Sequence, residues 1–191
     1  MLRFVSPRCL VTYYRSMLID DAGEFIDRGD AKRKLPAHQV TYKVMNEALE
    51  QYKLALRQAR QSTQTTPKER ARIFQKLMET STRSSMLAPK PKNRTEHARE
   101  AQVYGDASLK ASVESGDQCM TAQVEFMLAC VAVWSMHLQN ISGKSTDAES
   151  KVRLDLENAL IKLKRYPELK IRLYEEQRKV YLGYLSDQSC S

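Results

Sequence analysis

His97 and Glu100 stand three residues apart, the spacing that puts a histidine and a carboxylate on one face of a helix. Helical-bundle metal proteins use such a pairing, but with the glutamate first and with a second copy on a facing helix. Here the histidine comes first and no second copy occurs, so no metal site is expected. His38 and His137 are isolated, and His137 sits on the rim of an apolar run. The four cysteines, Cys9, Cys119, Cys130 and Cys190, form no Cys-x-x-Cys pair and no cluster with histidine at zinc-binding spacing. Cys119 and Cys130 lie about 16 Å apart on a continuous helix. A disulfide needs Cα atoms within about 7 Å, so both thiols are expected to be free. Free thiols suit a reducing, intracellular compartment, cytoplasmic or nuclear.

Glu125 is the one acid set in an apolar run. Turned inward, it would have a raised pKa and be fit for acid–base work. Exposed near the start of its helix, it would be held by the favourable end of the helix dipole, and this is the expected arrangement. The chain contains neither a glycine-rich phosphate loop nor a serine nucleophile elbow. No catalytic or cofactor-binding residue is expected.

Charge offers a different kind of site. The 191-residue chain carries a net charge of +8, unevenly spread. Residues 53–99 hold twelve Lys/Arg against three Asp/Glu, and residues 100–149 hold two against seven. Arg57, Arg60, Lys68, Arg70 and Arg72, with Lys90, Lys92 and Arg94 further on, are the candidate partner-binding residues; Lys76 lies among them. One reading is a basic surface for an acidic partner or nucleic acid. The plainer reading is that the basic and acidic faces meet inside the fold or face solvent. Arg57, Arg60 and Arg72 flank apolar stripes and would cover their edges. Nucleic-acid binding also calls for aromatic platforms or a helix-turn-helix nearby. Only Phe74 is close, and its spacing turns it inward.

The elements that must carry these residues are helical. Gly and Pro number six each, and 42% of residues are hydrophobic, so a packed helical core is expected. Residues 1–36 read as a flexible or loosely docked segment. Its first nineteen residues hold Arg3, Arg8 and Arg15 without an acid, as a mitochondrial presequence would, but Pro7 interrupts any helix there. Apolar periodicity predicts a helix from about 36–38 to Gln61. Thr66, Pro67 and Glu69 form a capping box with a preset proline, starting a second helix that frays through Ser81–Ser85. A Pro- and Lys-containing connection leads to a third helix, Thr95–Ser115, whose inward face is Ala98, Ala101, Tyr104, Ala107 and Ala111. Gly116 ends it and Asp117 caps the next.

That fourth helix is apolar on nearly every side from Phe126 to Met136 and holds the single tryptophan, Trp134. An all-round apolar helix is normally the buried one. Its uninterrupted apolar part is shorter than the roughly 20 residues a membrane span needs, and Gln123, Glu125 and His137 bracket it, so no span is expected. A capping box at Thr146–Glu149 starts a fifth helix, faced by Val152, Leu156, Ala159, Leu160 and Leu163. A sixth, roughly 168–186, carries Leu169, Leu173, Val180, Tyr181 and Leu185. Residues 187–191 are expected to fray.

Positions recur at an offset of 52. Tyr52, Ala55, Ala59 and Phe74 match Tyr104, Ala107, Ala111 and Phe126. Leu156, Ala159 and Leu163 continue the series, with Arg178 where the aromatic would fall. The stretch from Tyr104 through the Ser115-Gly116-Asp117 turn to Thr121-Ala-Gln-Val-Glu-Phe-Met-Leu-Ala129 resembles tetratricopeptide-type repeats in a degenerate form. The period is longer than that family's, which is about 34 residues. The resemblance implies stacked helix hairpins, a protein-interaction role and no catalytic residues. The expected molecule is an all-α domain, 37–186, of about six antiparallel helices in a short solenoid or bundle. Its expected role is a scaffold or adaptor that binds another protein in an inter-helix groove, or binds itself. A basic nucleic-acid-binding protein using residues 53–99 is the alternative.

Overall fold

The computed structural model describes residues 23–36, 39–141 and 148–186, and their regular structure is helical throughout. Seven helices pack together: α1 (23–33), α2 (Tyr42–Gln61), α3 (Pro67–Leu87), α4 (Pro91–Ser115), α5 (Gln118–Ile141), α6 (Glu149–Leu163) and α7 (Ile171–Ser186). The expected all-α class of antiparallel helices holds. Residues 1–22, 142–147 and 187–191 lie outside the described residues, and with them the basic leader, Cys9, Cys190, the Thr146 cap and the tail. His38 lies outside as well.

Local chemistry sets the boundaries. Thr41 caps α2 by accepting from the Val44 N–H at 3.3 Å, so α2 starts later than periodicity suggests. Thr66 and Glu69 bond reciprocally, and Pro67 takes the first turn of α3. Gly116 adopts φ 71° at the end of α4, a left-handed value suited to glycine. Asp117 then accepts from the Met120 N–H at 2.9 Å and starts α5. A two-residue corner of this kind folds α5 back against α4.

Two rows result. α3 touches α5 and α5 touches α7, while α1 lies along α3 through Asp30–Lys76 and Arg33–Glu79. In the second row α2 reaches α4 through Tyr42–His97 and Lys53–Glu100. Helices α3, α5 and α7 begin at 67, 118 and 171, close to the spacing of the recurring residues. Tyr52, Ala55, Leu56 and Leu77 centre the N-terminal core, and Phe126, Trp134, Leu156 and Tyr181 centre the C-terminal one.

Between these cores, α3 and α4 meet along a seam of small side chains. Thr80, Ser81, Ser84 and Ser85 on α3, and Ala98, Ala101, Gly105 and Ser108 on α4, are buried. The Ser108 hydroxyl donates to the Ala71 carbonyl and the Ser85 hydroxyl to the Arg94 carbonyl, which fixes an antiparallel register. In that register Ser81 lies level with Ala98 and Met78 with Ala101. A Cβ added at Gly105 would stand 2.3 Å from Leu128 and 2.8 Å from Met78, so only glycine fits unperturbed.

Several expectations are corrected by this packing. Ser81–Ser85 do not fray; they are buried helix, because close approach to α4 needs small residues there. α4 starts at Pro91 rather than Thr95, since proline suits a first helical turn. Ala107 is half-buried, and Gly105 and Ser108 occupy the crossing instead. Residues 23–33 form a docked helix where the sequence reads as loosely ordered. Its apolar residues are only Phe25 and Ile26, and ion pairs do most of the holding. Leu173 and Val180 are 58% and 57% exposed rather than inward.

α5 lies at the centre. Phe126 and Val133 are fully buried, and Trp134 donates its indole N–H to the Ser85 hydroxyl at 2.7 Å. By length and composition the stretch Gln118–Asn140 is apolar enough to cross a membrane, and 56% of its most apolar window is buried against the other helices.

Candidate functional site

The odd-numbered row encloses a cleft of about 510 Å³ between α3, α5 and α7. Helical spacing puts the lining residues there. Gln75, Met78, Glu79 and Thr82 fall on one face of α3, and Met127, Cys130 and Val131 on one face of α5. Leu173, Tyr174, Gln177 and Tyr181 form the matching face of α7, with Glu168 and Lys170 just ahead of that helix. Met78, Cys130, Val131 and Tyr181 are buried and make an apolar floor.

The floor is fixed in place. Tyr174 packs edge-on against Phe126 at 5.3 Å, and its hydroxyl accepts from the Gln123 amide at 3.0 Å. Tyr184 packs edge-on against Trp134 at 5.1 Å, and His137 donates from Nδ1 to the Tyr184 carbonyl at 2.7 Å. These contacts hold α7 on α5. Burial pushes the Cys130 thiol and the Tyr181 phenol well above their ordinary pKa values, so both stay protonated. Neither is a ready nucleophile or base. Among the described residues no group of three or more His, Cys, Asp and Glu is placed to hold a metal ion. The cleft has apolar residues at its floor and polar groups at its mouth.

The mouth is electrically uneven. Glu79 is taken up by Arg33 of α1 and by the Gln75 amide at 3.3 Å. Glu168 on the opposite lip accepts from the Cys119 thiol, which its charge, after burial, helps to push up. Arg83, also lining the cleft, makes a long hydrogen bond, 3.4 Å, to the Arg33 carbonyl and pairs with no carboxylate among the described residues. The Lys170 ammonium has no partner among the described residues.

The sequence-derived basic residues fall elsewhere and do not form one face. Arg57, Arg60, Lys68, Arg70 and Arg72 gather where α2 turns into α3. Lys90, Lys92 and Arg94 lie at the other end of α3, a 21-residue helix about 30 Å long. Several are engaged internally. Lys68 pairs with Asp117 at 2.7 Å, Arg70 with Glu114 at 3.5 Å, and Arg94 donates to the Ala88 carbonyl at 2.7 Å. The Lys68 bond, ahead of the Met120 N–H and nearby Arg72, holds the Asp117 carboxyl below its usual pKa. Arg57, Arg60, Arg72, Lys90 and Lys92 are exposed.

The remaining candidates are structural. His97 sits between Glu100 and the Tyr42 hydroxyl, both at 3.1 Å, and bridges α4 to α2. Glu125 is neither buried in the core nor placed at the helix end. It lies in the third turn of α5 and pairs with Lys162 of α6 at 2.7 Å. The cleft itself was not assembled from sequence, because its lining is spread over residues 75–181. The signal present was Leu173, an apolar residue on α7 beyond what one buried stripe requires. Comparison with protein-family models, curated proteins and solved structures finds no match for this chain.

Proposed function

We propose that this protein is an interaction adaptor that seats a segment of a partner protein in the cleft between α3, α5 and α7. One observation carries the reading: a cleft of about 510 Å³, within the range of about 300–1,000 Å³ typical of ligand sites, has an apolar floor and an incompletely paired polar mouth. The helix boundaries recurring near 52 residues support a hairpin-repeat architecture, degenerate and tetratricopeptide-like, in which each pair buries its face against the next. α5 is then the core helix of the array and not a membrane anchor. Protonated Cys130 and Tyr181 on the floor favour binding over catalysis.

The test is site-specific photocrosslinking in cells. A photoreactive phenylalanine at Leu173, on the lip of the cleft, should give a discrete protein adduct. The same group at Val103, 60% exposed on α4, should not. Equal adducts at both positions would contradict a cleft-specific role. A nuclease-sensitive adduct at Arg72 with none at Leu173 would favour nucleic-acid binding at the α2–α3 corner.

A further inference from the structure

Resting on that adaptor reading, we infer that the occupant of the cleft is a peptide segment with a large apolar anchor flanked by acidic residues, held by Arg83 and Lys170. The cations in and around the mouth are not equivalent. Arg33 is matched by Glu79 and Lys76 by Asp30, so neither is free to recognise a ligand. Among the described residues Arg83 on α3 and Lys170 on the opposite lip pair with no carboxylate, yet both line the same cleft. Of the two acids at the mouth, Glu79 is paired with Arg33, while Glu168 accepts from the uncharged Cys119 thiol and keeps its charge two residues from Lys170. The mouth therefore keeps a small positive surplus, Arg83 and Lys170 against Glu168, around an apolar floor.

An apolar side chain would settle on Met127, Leu169, Leu173 and Tyr174, displacing water from that surface. Aspartate or glutamate on either side of it would meet the guanidinium and the ammonium. A carboxylate on Arg83 gains a two-pronged, charge-assisted bond that water-exposed arginine otherwise lacks. The Gln177 amide at the mouth is suited to the peptide backbone. Basic segments are disfavoured by the same two cations. That includes this chain's own first nineteen residues, with Arg3, Arg8 and Arg15 and no acid.

A random peptide library displayed on phage and selected on the purified full chain tests this directly, with the Arg83→Glu/Lys170→Glu chain selected in parallel. Both cations are exposed, so the double variant is expected to fold, and its helical circular dichroism would be checked first. The expected result is enrichment of Asp and Glu around an apolar anchor on the native chain. On the variant the preference should reverse to Lys and Arg, and native-selected peptides should bind it at least tenfold more weakly. Enrichment of basic or uncharged apolar peptides on the native chain would overturn the charge assignment while leaving the cleft as a binding site. Acidic peptides that bind both chains equally would also overturn it. No selected peptide at all, or peptides whose binding survives Tyr174→Ala and Leu173→Ala, would overturn the adaptor reading too.

Discussion

The α3–α4 seam and the packing of α5 with α6 and α7 solve the same problem in opposite ways. The seam joins helices through Ala, Ser, Thr and Gly, so backbones approach closely and hydroxyls find carbonyls across the gap. α5, α6 and α7 meet through Phe126, Trp134, Leu156, Leu163 and Tyr181, and their stabilisation comes from burying large apolar side chains. A close seam leaves no volume to spare and gives a rigid spine. Bulky packing holds α7 only along part of α5, and the cleft opens where that packing ends. The seam therefore sets the geometry of the molecule, and the bulky half supplies hydrophobic energy and carries the cleft.

The two halves should fail differently. Phe126→Ala, which empties a fully buried site in the bulky half, should cost about 3–5 kcal/mol in chemical denaturation. A loss under about 1 kcal/mol, small on that scale, would mean α5 is not the core. Enlargement should hurt the seam instead. Gly105→Val should cost about 1–3 kcal/mol, because the ends of Leu128 and of buried Met78 stand where the new side chain would go and both have to shift. A neutral result would show that the α3–α4 approach is looser than described.

Within the seam, two serines separate hydrogen bonding from size. Ser85 accepts from Trp134 and donates to Arg94, so Ser85→Ala strands both partners and should cost about 1–2 kcal/mol. The Ser81 hydroxyl is buried without a partner, and Ser81→Ala should be neutral within about 0.5 kcal/mol or slightly stabilising. Equal losses at both positions, read by urea midpoints, would mean that side-chain volume rather than hydrogen bonding governs the seam.

The smallest effect is expected at α1, where docking depends on charge. Burial alone raises the Asp30 carboxyl, but bonds from Lys76 and Tyr52 outweigh it, and the folded pKa lies below the usual range. A depressed folded pKa means the contribution is present above the unfolded value, near 3.9. It is lost as the pH falls through the lower folded value. Amide protection of residues 23–33 should drop in acid while the α3–α4 seam stays protected, and Asp30→Asn should lessen that pH dependence, leaving the part due to Glu47, whose carboxyl the Lys32 bond also holds low. Protection that persists unchanged to pH 2 would show that Phe25 and Ile26 hold α1 without the ion pairs.

The contrast also explains what could be read from the sequence. The Thr66 capping box, the Gly116–Asp117 corner and the apolar run of α5 are local signals, and each produced the element it predicts. The 23–33 helix was missed because it has little apolar periodicity and docks through charges contributed by α2 and α3. Ser81–Ser85 read as fraying because serine and threonine favour turns when nothing faces them; here α4 faces them. The basic run looked like one site because its residues are neighbours in sequence, yet α3 carries its halves to opposite ends. Nothing local in the sequence sets Arg83 and Lys170 apart; that both line one cleft is a property of the fold.

Hydrogen exchange across the full chain, with and without a peptide selected on it, tests the spine-and-cleft account most directly. The account predicts that α3 and α4 exchange slowest in the free protein, that the lip of α7 around Leu173 exchanges faster, and that peptide slows exchange at this lip and around Arg83. Slowing confined to the α2–α3 corner at Arg57–Arg72, or an α7 as protected as α4 and unchanged by peptide, would contradict it.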